Sequence, residues 1–478
     1  MQSTFFFYDL ETSGFSPRDA RIMQFAGQRT DMNLKIVGEP VNHLIKLPED
    51  VLPEPDAILV TGITPQKTLS DGISEADFLK IFHEQVVTPG TIFVGFNNIR
   101  FDDEFMRYLH YRNFYEPYEW QYLDDRSRWD LLDVVRMTRA LRPKGIKWPF
   151  DVEGRPTNRL ELLAALNKLD HHHAHDALSD VMASIAVAKL IKQKQPKLFQ
   201  YLLNLRDKQK IAQLVLRGQP FVYTSGRYPG EFEKTTVAVM IAEHPNGRGA
   251  LVYDLRQDPA QFVEMNTQAL AEAWKWKRDD EGIRLPVKTL KFNHCPAVAP
   301  LSVLDAASRK RLKLDMKLIN KHAKELSTMK EWVQRVCQAL DILDQQQQTS
   351  LLLHDRSVDT QLYDSFLPRH DREQLRLVQT ARPDDLSELV SSFSDARLQA
   401  LLPLYKARNF PQHLTAEERQ SWERYRFNRL FTGDEKSQVA RFSARLAQLT
   451  SESSVSSHEQ FLLEELRLYA EAMVPAEP

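Results

Sequence analysis

Phe5-Phe6-Phe7-Tyr8-Asp9-Leu10-Glu11 opens the chain with large apolar residues and ends in two carboxylates two positions apart. Such a short apolar run is typical of a buried β-strand, and residues two apart on a strand point to the same face. Asp9 and Glu11 are therefore expected to lie side by side at one end of a strand. Paired carboxylates can hold two divalent cations, although Asp-x-Glu also occurs simply where a strand meets a turn.

A second acidic position follows another predicted buried strand, Ile92–Phe96. Asp102 and Asp103 open a predicted helix, where Asp commonly serves only as an N-cap. Alternatively, one of the two faces the strand that carries Asp9, because ligands tend to bind at strand-to-helix junctions of open sheets.

A histidine-rich stretch, residues 171–175, precedes a helix predicted to run to about Lys192. Asp176 suits the N-cap, and Asp180 lies one turn further on the same face, where the helix dipole favours a carboxylate even without a function. The histidines could suggest zinc, but they have no cysteine partner and no His-Glu-x-x-His spacing. We interpret His175 as a general base, because imidazole titrates near neutral pH.

Length and composition limit the class of protein. A chain of 478 residues is expected to form two or three domains, and its net charge of −2 means that any polyanion must be held by a local basic stripe or by cations. The two cysteines match no zinc or redox spacing, which favours a reduced compartment. With no basic leader and no apolar run of membrane-spanning length, we expect a soluble, cytoplasmic protein without a membrane partner.

Periodicity divides the chain into three predicted domains. Residues 1–195 alternate strands and helices, residues 196–350 form a β-rich domain with helical insertions, and residues 355–478 are helical. The polar run Gln345–Gln348 is predicted to be a linker or a helix end. The predicted strands are Phe5–Asp9, Ile22–Arg29, Val41–Ile45, Ile92–Phe96, Thr235–Ala242, Ala250–Leu255 and Val287–Phe292.

Three motifs carry a resemblance to a known family. Tyr8–Gly14, Asn98-x-x-Phe101-Asp102 and His175-x4-Asp180 resemble the motifs of the DEDD-type exonucleases, histidine subclass. Further stretches are similar to the bacterial exonuclease I family, so that the resemblance spans nearly the whole chain. These stretches are residues 94–104, 111–115, 127–133, 140–143, 358–363 and 405–411.

The resemblance implies a ribonuclease H-like α/β exonuclease domain, an SH3-like β domain and an all-α C-terminal domain. It implies hydrolysis of single-stranded DNA from the 3′ end to 5′-mononucleotides, processive action, and a role in DNA repair or recombination. Two Mg²⁺ ions, with Mn²⁺ as a substitute, are the implied cofactors. The implied metal ligands are Asp9, Glu11, Asp102 and Asp180, with His175 as the general base. Asp102 is preferred to Asp103 because it directly follows Phe101.

Arginines and aromatic rings alternate between the second and third motifs, a combination that binds phosphates and stacks on bases of single strands. Some of these rings, Phe114 and Trp129 in particular, could instead be core residues, and the arginines could pair with nearby aspartates. The resemblance favours as substrate contacts Arg107, Tyr118, Tyr122, Arg136 and Arg159.

The resemblance also implies one protein partner, the acidic C-terminal tail of single-stranded-DNA-binding protein. Candidate contacts are Arg142 and a basic run predicted to lie on one helix, which is more often a solvated face. This run comprises Arg309, Lys310, Arg311, Lys313, Lys317, Lys321 and Lys324. A monomer is expected. An RNA-trimming exonuclease using the same site and a non-catalytic binding module remain as alternatives.

Overall fold

The computed structural model describes residues 3–169, 176–275, 282–352, 356–452, 455–473 and 475. Its N-terminal sheet is built around the central strand β1, Thr4–Thr12, whose aromatic side chains are buried on both faces. The other strands of this sheet are β2 (Ile22–Thr30), β3 (Val41–Leu44), β4 (Thr91–Gly95) and β5 (Ser127–Asp130). The strand order is β3-β2-β1-β4-β5, with β1 antiparallel to β2 and parallel to β4.

Nine helices lie between β1 and the second sheet in the described part of the chain. They are α1 (Pro55–Thr61), α2 (Pro65–Asp71), α3 (Glu75–Ile81), α4 (Asp102–Arg112), α5 (Leu131–Leu141), α6 (Leu160–Leu166), α7 (Ala177–Lys194), α8 (Pro196–Asn204) and α9 (Lys208–Val215). Helix α4 begins with three acidic residues and ends with His110 and Arg112, an order that the helix dipole favours at both ends.

The second sheet is antiparallel throughout and has the order β10-β6-β7-β8-β9. Its strands are β6 (Phe221–Thr224), β7 (Thr235–Glu243), β8 (Gly249–Asp254), β9 (Val287–Lys291) and β10 (Ala297–Pro300). The helices that accompany it are α10 (Thr267–Lys275), α11 (Ala306–Arg311), α12 (Met316–Thr328) and α13 (Lys330–Leu352).

From residue 356 onward the described chain contains helices and 3₁₀ turns, in agreement with the predicted helical region. The helices are α14 (Arg369–Thr380), α15 (Ala396–Asn409), α16 (Ala416–Phe431), α17 (Gln438–Thr450) and α18 (Ser457–Met473). Helix α16 starts with a capping box, in which the Thr415 hydroxyl accepts from the Glu418 amide and Glu418 accepts from the Thr415 amide.

Two sequence expectations about local structure were wrong. Gln345–Gln348 is no linker, because it lies inside α13. The basic run 309–324 is not one helix, because α11 ends at Arg311 and α12 begins at Met316. Lys313 between them has φ +51°, a left-handed conformation that interrupts an α-helix.

The chain forms two compact units, and each draws on separated stretches of sequence. The first contains residues 1–128, 171–185 and 356–478, and the second contains residues 129–170 and 186–355. Among the described residues, no helix is long and apolar enough to cross a membrane. The predicted boundaries at residues 195, 350 and 355 follow the sequence pattern and are a different division, which stays a prediction.

The first unit contains a buried ion-pair network in addition to its aromatic core. Asp359 accepts from Arg21 at 3.1 Å, from Arg408 at 2.6 Å and from Arg429 at 2.9 Å. Asp50 accepts from Arg408 at 2.6 Å and from Arg429 at 3.2 Å. Since the residues come from both ends of the sequence, the network joins the N-terminal sheet and the C-terminal helices within this unit.

Candidate active site

The acidic end of β1 extends beyond its parallel neighbour. Strand β1 pairs with β4 only as far as Phe7 and Val94, so Asp9 and Glu11 lie past the last paired residues. A bulge interrupts the pairing with β2 between Glu11 and Thr12. Both carboxylates therefore stand at the carboxyl end of β1, beyond the last residue that pairs with β4. This is the position at which open sheets bind ligands.

Asp180 joins the two strand carboxylates from the first turn of α7. One carboxylate oxygen each from Asp9, Glu11 and Asp180 lies within 4.8 Å of the others. Glu11 is only 8% exposed. Three oxygen donors this close, all from carboxylates, are the ligand set that hard divalent cations such as Mg²⁺ prefer. The residues present therefore fit a divalent-cation site.

The electrostatics of the cluster point the same way. Burial raises the pKa of Asp9 well above its usual value, and the charges of Asp102, Glu11 and Asp180 raise it further. Burial, followed by the charges of Asp180, Asp102 and Asp176, raises the pKa of Glu11 to about 8. Carboxylates that repel one another in a buried place are stabilised by a bound cation, and such groups concentrate at functional sites.

Asp102 and Asp103 have different surroundings. Asp102 is the first residue of α4, is buried, and is the charge that raises the pKa of Asp9 most, although it is not one of the three residues whose oxygens lie within 4.8 Å of one another. Asp103 is fully buried and accepts hydrogen bonds from the Tyr8 hydroxyl and from Arg128. Both oxygens of Asp103 therefore already accept hydrogen bonds, and the assignment of Asp102 as a metal ligand stays a prediction.

Asp176 is an acidic residue that sequence reasoning assigned only to a helix cap. It does cap α7, since its carboxylate accepts from the Ser179 amide at 3.1 Å. It also accepts weakly from Gln24 at 3.5 Å and contributes to the raised pKa of both Asp9 and Glu11. Its spacing of four residues before Asp180 was a usable signal, because residues i and i+4 share a helix face. His175, the predicted general base, lies outside the described residues, as do the histidines at 171–173.

Arg107 and the tyrosines near it lie in the first unit. Arg107 is 7% exposed and donates to Glu104 and, at 2.9 Å, to Gln121. Burial alone would lower the pKa of Arg107, but the charges of Asp103 and Glu104 raise it overall. Its guanidinium lies 5.6 Å from the centre of the Tyr118 ring. In this structure Arg107 is thus held by carboxylates, while its neighbour Tyr118 is half-buried.

Two aromatic residues that were not predicted as substrate contacts flank Tyr118. The rings of Tyr363 and Phe366 each lie 6.5 Å from the Tyr118 ring, and Phe366 is 72% exposed. A cavity of about 150 Å³ is lined by Tyr118, Phe366 and Arg372, among others. Tyr122 nearby in sequence is 59% exposed. The quoted stretch 358–363 contains Tyr363, but only the fold shows that it lies beside Tyr118.

The remaining predicted contacts lie in the second unit. Arg136 pairs with Asp133 at 2.8 Å, and the more exposed Arg159 pairs with Glu161 at 2.5 Å. Arg142 donates to the Val303 carbonyl at 2.9 Å and lies 3.9 Å from Asp305. Phe114 and Trp129, the rings for which a core role was the alternative, are buried.

The basic run 309–324 is only partly a solvated face. Arg311 donates twice to the carbonyl of Ala140, which fixes α11 against the end of α5 within the second unit. Lys321 lies 3.6 Å from Glu325 on an exposed part of α12. Different members of the run therefore have different roles, and Arg311 is a packing residue as well as a charge.

The sheet order β3-β2-β1-β4-β5, with carboxylates at the end of the central strand, is the ribonuclease H-like arrangement. The sequence model of the family described as Exonuclease matches residues 6–188, that of the Exonuclease I SH3-like domain residues 206–341, and that of the Exonuclease I C-terminal domain residues 356–473. The chain is 38% identical over 473 residues to exodeoxyribonuclease I of Haemophilus influenzae, covering 98% of each.

Solved structures agree with the sequence comparison. Exonuclease I from Methylocaldum szegediense is 40% identical with a TM-score of 0.90, covering 99% of this chain and all of that one. Escherichia coli exonuclease I bound to a dA16 oligonucleotide is 36% identical, with a TM-score of 0.90 and 99% and 100% coverage. A complex of single-stranded-DNA-binding protein and exonuclease I with the inhibitor CFAM is likewise 36% identical, with a TM-score of 0.89 and the same coverage.

The protein belongs to the bacterial exonuclease I family and is an exodeoxyribonuclease. The predicted fold class, a ribonuclease H-like exonuclease domain followed by an SH3-like domain and a helical C-terminal domain, is confirmed. The predicted residue roles are separate from this finding and are treated below as proposals.

Proposed function

We propose that the protein hydrolyses single-stranded DNA from its 3′ end and releases 5′-mononucleotides, using two Mg²⁺ ions for which Mn²⁺ can substitute. The observation that carries the proposal is the cluster of carboxylate oxygens from Asp9, Glu11 and Asp180, all within 4.8 Å of one another. The relatives that match this chain over nearly its whole length are exodeoxyribonucleases, which supports the choice of DNA as substrate.

Each residue of the cluster has a proposed task. Asp9, Glu11, Asp102 and Asp180 hold the cations, and the raised pKa values of Asp9 and Glu11 are the electrostatic reason why cations bind there. When bound, a cation pair makes a water molecule more acidic and stabilises negative charge on the departing oxygen. His175 accepts the proton of the attacking water, and buried Asp103 fixes the start of α4 through Tyr8 and Arg128.

A direct assay tests this function. The protein is incubated with 5′-labelled single-stranded DNA, duplex DNA and RNA, in Mg²⁺ and in EDTA. We expect a ladder that shortens from the 3′ end of single-stranded DNA in Mg²⁺ and no hydrolysis in EDTA. Equal rates on RNA would favour the RNA-trimming alternative, and binding without hydrolysis would favour a non-catalytic module.

The strand-binding proposal rests on rings and cations. We propose that Tyr118 and Tyr122 stack on bases and that Arg107, Arg136 and Arg159 contact the DNA. Two observations support stacking: Tyr122 is exposed, and the exposed ring of Phe366 lies beside Tyr118. Stacking is worth about 1–3 kcal/mol per base. Tyr122→Ala should raise KM about tenfold with little change in kcat, while Leu123→Ala, at an exposed aliphatic neighbour, should not. An unchanged KM in Tyr122→Ala would remove that residue from the proposal.

We further propose that the protein acts processively in DNA repair or recombination, as a cytoplasmic monomer, and binds the acidic C-terminal tail of single-stranded-DNA-binding protein through Arg142. The complex seen for a relative supports this partner. Fluorescence anisotropy with a labelled tail peptide tests it: Arg142→Glu should weaken binding at least tenfold, whereas Arg155→Glu in the same unit should not. Equal affinities for the two variants would exclude Arg142.

A further inference from the structure

A second cluster of metal-ligating side chains lies in the second unit and shares no residue with the acidic edge of β1. Asp258 follows β8 and precedes a 3₁₀ turn at Pro259–Gln261, while His322 and Glu325 lie on α12. A spacing of three residues places His322 and Glu325 on one face of that helix. One ligand atom from each of the three residues lies within 4.8 Å of the others.

The ring of His322 is buried and held by a backbone hydrogen bond. It is only 3% exposed, and its Nδ1 lies 2.9 Å from the carbonyl oxygen of Leu255. Because a carbonyl oxygen only accepts, Nδ1 carries the proton, and the neutral ring then has its free lone pair on Nε2. Metal-binding histidines commonly show this second hydrogen bond, which fixes the tautomer and the direction of the ring. No hydrogen bond to Nε2 occurs among the described residues.

The two carboxylates have unused acceptors. Glu325 Oε1 lies 3.6 Å from the ammonium of Lys321, but Glu325 Oε2 is buried and has no hydrogen-bond partner among the described residues. Asp258 accepts from the Ala260 amide at 3.0 Å through Oδ1, which leaves Oδ2 without a hydrogen bond in the described part of the chain. A buried acceptor normally has a partner, so Glu325 Oε2 indicates one that is not a protein group.

The cluster is already assembled by other bonds. Arg256, two residues before Asp258, donates to the Leu312 carbonyl at 2.8 Å and to the Lys313 carbonyl at 3.2 Å. These bonds fix the segment after β8 against the short connection between α11 and α12. Asp258 is therefore held near α12 by the fold itself, and a ligand that binds there meets a prepared site.

We propose that Asp258, His322 and Glu325 bind one Zn²⁺ ion that ties α12 to the second sheet. An imidazole with two carboxylates favours Zn²⁺ over Mg²⁺ or Ca²⁺, which prefer sites made of oxygen ligands only. Both carboxylates are partly exposed, so water completes a four-coordinate site. The ion joins two segments that are 64 residues apart between Asp258 and His322, and its role is structural.

Zinc titration of the full-length protein tests this site. The acidic edge of β1 also has carboxylates, so the titration uses the Asp9→Asn/Asp180→Asn protein as the parent and includes millimolar Mg²⁺. We expect one Zn²⁺ per chain by calorimetry, with at least tenfold weaker binding in Glu325→Gln and no binding in His322→Gln. Glu264→Gln, at an exposed glutamate of the same unit, is the matched control and should bind like the parent.

Thermal unfolding provides a second readout. Zn²⁺ should raise the Tm of the parent and of Glu264→Gln, but not that of Glu325→Gln. Glu325 is partly exposed, so Glu325→Gln keeps the test valid if His322→Gln fails to fold. Binding only at millimolar Zn²⁺, or equal binding by the parent, His322→Gln and Glu325→Gln, would overturn the proposal.

Discussion

Two buried charge clusters in the first unit solve the same problem in opposite ways. At the edge of β1, carboxylates face carboxylates, and the pKa values of Asp9 and Glu11 are raised. In the Asp50–Asp359 network the carboxylates face arginines. Burial alone would raise the pKa of Asp359, but Arg408, Arg429 and Arg21 hold it well below its usual value. Buried charges that pair with opposite charges serve the architecture, whereas buried like charges that repel one another mark a place for a ligand.

The largest effect is expected from a substitution in the carboxylate cluster at the end of β1. Asp9→Asn should reduce hydrolysis of single-stranded DNA by much more than about 100-fold, because even residues that only support metal ligands commonly contribute 10- to 100-fold. The rate is measured on 5′-labelled DNA in Mg²⁺, and circular dichroism checks the fold. Asp19→Asn, an exposed aspartate on the loop after β1, is the control and should keep full activity. Full activity in folded Asp9→Asn would disprove the assigned role.

The next largest effect is expected from a substitution in the Asp50–Asp359 network. Asp359→Asn leaves Arg21, Arg408 and Arg429 in a buried place with one carboxylate fewer, so it should lower the free energy of unfolding by about 3–5 kcal/mol. Urea unfolding measures the change. Asp384→Asn, which removes an exposed pairing with His413, should change it by less than about 1 kcal/mol. Equal losses in the two variants would mean that the network is not a stabilising element.

A smaller effect of opposite sign sharpens the comparison. Glu11→Gln removes a carboxyl group whose ionisation the folded protein opposes, so near neutral pH in EDTA it should raise the free energy of unfolding by about 1–3 kcal/mol while it lowers activity. Mg²⁺ should then stabilise the parent more than the variant. Thermal unfolding with and without Mg²⁺ measures both effects. A Glu11→Gln protein less stable than the parent in EDTA would contradict the repulsion argument.

The smallest effect concerns how the stability of the first unit depends on pH, through a buried pair of histidines. Burial lowers the pKa of His83 to about 4 and that of His110 well below its usual value. The Nε2 atoms of the two rings lie 3.1 Å apart. A depressed histidine pKa means that the folded state prefers the neutral ring. Its contribution to stability is complete above about pH 6.5 and is lost as the pH falls toward 4.

Urea unfolding between pH 7 and pH 4 measures this dependence. His83→Gln should flatten the acid limb of the stability curve, because one of the two groups no longer titrates. An acid limb of the same slope in His83→Gln and the parent would exclude this pair as its cause.

Local pattern was enough for most of the elements. The predicted strands Phe5–Asp9 and Ile22–Arg29 fall within β1 and β2, because their apolar side chains are buried. The break at Lys313 was missed, although Asp315, the N-cap of α12, was a usable signal for the start of a second helix.

The site was predictable in its residues but not in its neighbours. Asp9, Glu11 and Asp180 could be assembled by motif and resemblance, and the structure brings their oxygens together. The contribution of Asp176 depends on how α7 approaches β1, which spacing alone does not determine. The stretches 358–363 and 405–411 were recognised separately, but that Asp359 and Arg408 meet at 2.6 Å is a property of the fold.

The Arg21–Asp359 ion pair also has a consequence for synthesis. The two residues are 338 positions apart, so a ribosome adding about 5–20 residues per second makes Asp359 roughly 20–70 s after Arg21. During that interval the first unit lacks residues 356–478, and the side chain that becomes fully buried has not met its carboxylate. The first unit thus begins with the first strands to be translated but is completed only after the C-terminal helices have been made.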